Sequence, residues 1–176
     1  PRDFVLFVGA ISKRKNFLRL LQAMTLPENQ DKHLVAVSNG GDEYSKAEEF
    51  IYEKNLEGRV FFLKDLPWFE LPIIYHMSQG LVYPSLYEGF GLPILEALRC
   101  GKPVITSNLS SMPEVGGDAC IFIDPNNVEE ISAAINFIYY NIDLAMEVKG
   151  KAIQQIQKFH PQKMTEKMMQ VYKSIL

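Results

Sequence analysis

Residues 87–103 read YEGFGLPILEALRCGKP and carry two carboxylates, Glu88 and Glu96, on either side of a glycine turn. Glycines at 89 and 91 have no Cβ, so the backbone can turn sharply there and a ligand can approach closely. The amides of Phe90, Gly91 and Leu92 then stand at a helix start, where unpaired N–H groups and the helix dipole favour an anion. Pro93 suits an early helical position, because its missing N–H is one the helix does not use. Gly101 fits a C-cap and Pro103 blocks continuation, which keeps the helix short. Together these features describe a phosphate cradle. A carboxylate beside a phosphate is not placed to bind it; its natural partners are the hydroxyls of a ribose or hexose, which donate charge-assisted hydrogen bonds. On residue types alone a plainer reading stands beside this one, with Glu88 a solvated loop acid and Glu96 an i,i+3 partner of Arg99.

A second cluster, GAISKRKNF at 9–17, places Lys13, Arg14 and Lys15 before a helix that Asn16 can cap. Cations at that point either neutralise a diphosphate or form an ordinary charged loop. Ser111 and Glu114 read as a capping box that opens a short helix. His33, His76 and His160 are scattered, with neither nucleophile nor metal geometry, and carry no catalytic role.

These residues need a frame to bring them together. Short apolar runs rich in β-branched and aromatic residues alternate with stretches of helical period. Strands are expected at 4–9, 33–38, 59–63, 80–85, 103–107 and 120–124. Helices are expected from Phe17 through Met24, in the polar stretch through Glu53, and at 68–77, 92–100, 128–140, 144–159 and 162–175. Gly40 and Gly41 read as a turn after the second strand. Strands apolar on both faces and separated by helices imply a parallel sheet covered on both sides. The fold class is therefore α/β: a single Rossmann-like, doubly wound parallel sheet of about six strands in the order 3-2-1-4-5-6. Ligands of such sheets bind beyond the carboxyl ends of the strands where the order reverses. That crevice is bordered by the loops after strands one and four, which carry Lys15 and Glu88.

The bulk properties narrow the options further. The chain has 176 residues, 47% of them hydrophobic and 22% charged, as in an ordinary globular domain without low-complexity tracts. A net charge of -3 argues against broad capture of nucleic acid, so no nucleic-acid partner is expected. Two cysteines, Cys100 and Cys120, form no CxxC pair or zinc spacing and read as reduced core thiols of a cytoplasmic protein. No apolar run approaches the roughly 18 residues of a membrane span, and no signal peptide is recognisable. The chain opens at Pro1 and enters an apolar strand almost at once, from which we expect a preceding part of a longer polypeptide.

The run PSLYEGFGLPILEALRCGKPVITS resembles the signature of GT4-type (group 1) retaining glycosyltransferases, in the C-terminal, donor-binding domain of their GT-B fold. Their pattern is a glutamate, seven residues and a second glutamate around a GFG turn, and Glu88 and Glu96 match both ends. The resemblance continues through SSMPEVGGDACIFIDP and, with the early VG and RKN, spans the chain to about residue 135. It implies that Glu88 contacts donor-sugar hydroxyls, that Phe90, Gly91 and Leu92 offer backbone contacts to sugar and phosphate, and that Glu96 holds the ribose. In that family a loop lysine and an arginine directly after the first-strand glycine grip the diphosphate. Lys15 matches the lysine, whereas Ala10 stands at the arginine position and Arg14 is the expected substitute. The base is seated after the third strand, at 62–66, largely by backbone groups.

The resemblance thus implies transfer of a hexose from a UDP- or GDP-sugar to an acceptor hydroxyl in glycan or polysaccharide biosynthesis, with Glu88 and Lys15 as catalytic residues. The RKN loop leans toward a mannosyl donor. No cofactor or metal is expected, since basic side chains and a helix end supply the charge and no DxD-type pair stands at a strand end. Acceptor binding belongs to an N-terminal domain absent from this chain, which by itself is expected to transfer nothing. The intact enzyme is expected in the cytoplasm, with peripheral association at the inner face of a membrane. Two alternatives remain. An NAD-dependent oxidoreductase shares the sheet type, but VGAISKRKN stands where a GxGxxG would follow strand one. A noncatalytic nucleotide-sugar binding module is not separated from an enzyme by the sequence.

Overall fold

A computed structural model of the chain describes residues 1–141 and 143–175. The six apolar runs form β1 (Val5–Val8), β2 (Leu34–Val37), β3 (Val60–Leu63), β4 (Gly80–Tyr83), β5 (Val104–Ser107) and β6 (Ile121–Ile123). All pair in parallel, in the order β3-β2-β1-β4-β5-β6 that the doubly wound reading requires. Val5 lies opposite both Leu34 and Gly80, so β1 and β4 are neighbours at the sheet centre, where the order reverses. Every residue of β4 and β5 is buried, as both faces of a covered sheet demand.

Between the strands run α1 (Phe17–Thr25), α2 (Tyr44–Glu53), α3 (Leu71–Met77), α4 (Leu92–Arg99) and α5 (Met112–Gly116). Then follow α6 (Val128–Tyr140), α7 (Leu144–Lys158) and α8 (Pro161–Ile175). Helix α1 packs on α2 and α6, while α4 packs on α3, α5 and α7. The sheet is built outward from β1 to β3 and then outward from β4 to β6. Right-handed crossovers therefore put these two groups of helices on opposite faces. The core runs through Phe7, Phe17, Leu20, Leu34, Leu81, Ile94 and Ile105. Helix α8 buries no residue. No helix among the described residues is long and apolar enough to cross a membrane.

Three local expectations are corrected. Strand β4 stops at Tyr83 rather than Ser85, because Pro84 has no N–H to continue a ladder. Helix α3 starts at Leu71 rather than Trp68. Residues 68–70 instead form a turn in which the Glu70 amide donates to the Pro67 carbonyl at 2.9 Å, leaving Trp68 and Phe69 exposed. Asn16 precedes α1 but does not cap it with its side chain; it sits in the left-handed region at φ 58°.

Candidate functional site

The β1 loop and the β4 loop meet beyond the carboxyl ends of the central strands. The Leu86 amide donates to the Arg14 carbonyl at 2.8 Å, and Arg14 Nη1 donates to the Tyr87 carbonyl at 2.8 Å. Asn16 spends its amide group here, since Nδ2 donates to the Pro84 carbonyl at 3.1 Å and the Pro125 carbonyl at 2.7 Å. One side chain thereby fixes three loops, which accounts for its failure to cap α1. The residues of the KRK run form a 3-10 turn that brings Lys15 inward, where it is 8% exposed. Its ammonium lies against Gly9, where φ is +138° and a Cβ would stand 3.2 Å from Lys15 Cε. Glycine at that position serves both the backbone turn and the passage of the lysine.

Glu88 collects the cations. Lys15 Nζ lies 2.7 Å from Oε1 and Arg14 Nη1 lies 2.6 Å from Oε2, with Glu88 7% exposed. Lys15 also donates to the Tyr83 hydroxyl, and its ammonium sits 4.4 Å from the centre of that ring. Burial alone raises the Glu88 pKa, but contacts from Lys15, Tyr83 and Arg14 outweigh it and hold the carboxyl below its ordinary value. Glu88 is therefore a carboxylate at neutral pH. Burial, with the Glu88 charge, pushes the Tyr83 phenol up, so Tyr83 stays protonated.

The glycine turn follows directly. Gly91 precedes α4 with φ 101° and ψ 49°, a conformation that disfavours any side chain. Among the described residues the amides of Phe90, Gly91 and Leu92 donate to no protein acceptor, so they remain available for an anion. Phe90 packs edge-on against Phe159, with ring centres 5.3 Å apart. The turn is braced from the β5 loop: Ser110 Oγ donates to the Glu88 carbonyl at 2.6 Å, and Ser111 Oγ reaches the Glu88 and Phe90 carbonyls at 2.9 Å each. This corrects the capping-box reading of Ser111. Its backbone is already helical and its hydroxyl makes no cap bond, because the site loop takes it.

Glu96 stands apart from the cation cluster. The Tyr75 hydroxyl donates to its Oε2 at 2.9 Å, and no Glu96–Arg99 ion pair occurs among the described residues. The carboxylate lines a cavity of about 460 Å³ with Trp68, Leu71, Tyr75 and Arg99. A second cavity, about 520 Å³, opens over the ends of β1 and β2, against Gly9, Ala10, Asn39, Gly41 and Leu66. Ala10 is exposed there, so a small side chain leaves the mouth of β1 open. Gly41 is more than a turn, since a Cβ on it would stand 2.1 Å from the Ile11 carbonyl oxygen.

Lys15, Arg14 and Glu88 thus form one cluster beside the amides of Phe90, Gly91 and Leu92, with Glu96 in a neighbouring cleft. Sequence reasoning missed Tyr83, Tyr75, Ser110 and the bracing role of Ser111. Tyr83 carried a usable signal, as a polar aromatic near the carboxyl end of a central strand expected to border the crevice. The serines and Tyr75 carried none, because their partners are remote in sequence.

Comparison with known proteins converges on one group. The sequence profile of "Glycosyl transferases group 1" matches residues 1–155. The O-antigen chain mannosyltransferase B of Escherichia coli is 42% identical over 137 residues, which are 76% of this chain and 36% of that protein. The chain therefore spans about a third of that relative's length. The sucrose-phosphate synthase of Thermosynechococcus elongatus superposes with a TM-score of 0.86 at 27% identity, over 99% of this chain and 45% of that one. HepE from Anabaena, solved with UDP and glucose, superposes with a TM-score of 0.84 at 22% identity, over 98% and 49% of the two chains. At that identity the likeness concerns the fold.

Proposed function

The chain belongs to the group 1 glycosyl transferases, and on that premise we propose that it is the donor-binding domain of a retaining hexosyltransferase that takes a nucleoside diphosphate sugar, either UDP- or GDP-linked. One observation carries the reading. Two cations, Lys15 and Arg14, are gathered by the Glu88 carboxylate at the reversal point of the sheet, beside three free amides at the start of α4.

In transfer, the bond between the anomeric carbon and the leaving diphosphate oxygen breaks, and negative charge grows on the diphosphate. Lys15, Arg14 and the α4 amides are already oriented toward such charge, and preorganised groups of this kind stabilise a transition state without reorganisation. Glu88 uses one oxygen on each cation and keeps lone pairs for sugar hydroxyls, since a carboxylate offers about four acceptor sites. Glu96, steadied by Tyr75, accepts from the ribose hydroxyls in the cleft of Trp68 and Leu71. The open floor beside Ala10, Asn39 and Gly41 receives the base. Charge neutralisation by side chains and amides leaves no step that calls for a metal or cofactor. The likeness to an O-antigen mannosyltransferase supports a mannosyl donor, and the UDP in the HepE structure supports a nucleotide-sugar ligand. The acceptor is held by residues outside this chain.

Thermal shift against UDP, GDP, ADP and NAD tests the reading. A nucleoside diphosphate at 100 times its dissociation constant should add about 2.7 kcal/mol of stability. Stabilisation by NAD and by none of the diphosphates would overturn it.

A further inference from the structure

Strand β4 ends on Tyr83, which is 1% exposed and carries a hydroxyl where its predecessors Leu81 and Val82 carry only hydrocarbon. The strand end is fixed from β5, since Thr106 Oγ1 donates to the Tyr83 carbonyl at 3.0 Å and Ser107 Oγ donates to the Ser85 carbonyl at 2.6 Å. Tyr83 is therefore mounted on the centre of the sheet, whereas Lys15, Arg14 and Glu88 stand on the connections that follow β1 and β4.

The Tyr83 hydroxyl lies between opposite charges. Lys15 donates to Tyr83 Oη, and because an ammonium accepts nothing, the phenol keeps its own proton for another group. Glu88 is within reach of it, as contacts from Lys15 and Tyr83 together hold that carboxyl below its ordinary value. Lys15 Nζ also meets Glu88 Oε1 at 2.7 Å, so lysine, phenol and carboxylate close a triangle. Of the three N–H groups on the ammonium, Tyr83 takes one and Glu88 another, while the stem passes Gly9. One N–H is left. Without the phenol oxygen, Glu88 would be the sole polar partner of Lys15 Nζ among the described residues. The ammonium would then be free to slide along the carboxylate toward Oε2, which Arg14 Nη1 already meets at 2.6 Å.

We propose that Tyr83 is a positioning residue: buried and out of contact with the donor, it sets the direction of the Lys15 ammonium so that the remaining N–H faces the terminal phosphate, the one bonded to the sugar. This role rests on the donor assignment. There Glu88 takes the sugar and Glu96 the ribose, so a cation touching Glu88 stands at the sugar end of the diphosphate rather than at its nucleoside end. The consequence is selectivity. Tyr83 favours a nucleoside diphosphate over the corresponding monophosphate, which lacks the group that the directed N–H meets.

Titration calorimetry of the chain with GDP, UDP, GMP and UMP tests the role, using Tyr83→Phe, which keeps the ring that fills the core. For the diphosphate that binds, loss of the hydroxyl should lower affinity about tenfold, the scale of one hydrogen bond to a charged group, while the matching monophosphate stays within about twofold. Because Tyr83 acts through Lys15, the same change on a Lys15→Met background should cost less than about twofold for either ligand. Should Lys15→Met fail to fold, the diphosphate-to-monophosphate ratio of Tyr83→Phe decides alone. Equal losses for the two ligands, or parent-like affinity for both, would overturn the positioning role and leave the donor assignment intact. A full loss on the Lys15→Met background would overturn it as well, since the hydroxyl would then act without the lysine. A parent that binds neither GDP nor UDP would remove the donor assignment and this role with it.

Discussion

Glu88 and Lys15 form a nearly buried ion pair, and breaking such a pair by removing one partner leaves an uncompensated charge, at a cost of about 3–5 kcal/mol. Glu88→Gln keeps the shape and lies at the low end of that range, so a loss of about 3 kcal/mol at neutral pH is expected from urea denaturation. The pH dependence has a definite sign. The folded-state pKa of Glu88 is depressed, so its contribution is fully present above the ordinary value of 4.5 and is lost as pH falls through the lowered one. The gap between parent and Glu88→Gln should therefore close in acid; a gap constant from neutral pH to pH 3 would show that Glu88 is not a paired carboxylate. Among the described residues Glu96 rests on one donor, the buried Tyr75 hydroxyl. Tyr75→Phe should raise the nucleoside diphosphate dissociation constant several-fold, and Glu96→Ala should raise it further with the fold intact. Unchanged affinity in titration calorimetry for both variants would return Glu96 to a surface acid. The acids and cations were legible as types around a glycine turn. That one acid gathers both cations while the other takes a tyrosine was not, because those partners lie in different loops and only the folded sheet brings them together.

Elements followed from the sequence because period and composition are local properties. Runs such as FVLFV and GLVY are apolar on both faces, and that pattern alone leads to a parallel sheet between helices. The errors fell at element ends, where short polar side chains choose between a local bond and a remote one. Asn16 and Ser111 have the side chains and positions of caps, and both instead bond carbonyls of the site loop. The remote choice wins where the crossing loops have buried carbonyls that would otherwise go unpaired. Ser111→Ala should therefore affect ligand affinity more than stability, since it frees the carbonyls that set the glycine turn. At the start of α4, Gly91→Ala must adopt φ 101° and bring a methyl 3.2 Å from Ile94 Cδ1. The left-handed strain alone costs about 1–2 kcal/mol. A fall of about 2–8 °C in melting temperature is expected for a domain of this size. A melting point equal to the parent's would mean that the turn relaxes and the amides are not fixed.

At the scale of the whole molecule, stability is unevenly distributed along the chain. Helix α7 is tied into the core by Leu144, Val148 and Ala152, and Gln155 donates to the Glu114 and Val115 carbonyls at 2.6 and 3.0 Å. Phe159, just past its end, packs on Phe90 and so joins the last core helix to the glycine turn. Helix α8 contributes nothing of that kind, for none of its residues is buried and Met164, Met168, Met169 and Tyr172 all face outward. Its amphipathic period predicts a helix, but an isolated helix of this length is marginal in water, and most helical stability comes from packing. Ending the chain after His160 should thus leave the melting temperature within about 2 °C of the parent, because surface changes away from special features stay within about 0.5 kcal/mol. Far-UV circular dichroism should lose no more than the signal of this one helix. Phe159→Ala in the full chain should do the opposite, lowering the melting temperature by several degrees and loosening the loop that carries Glu88. If the truncation destabilised the domain more than Phe159→Ala, α8 would have to pack against the core in solution, and the division of stability between α7 and α8 would be wrong.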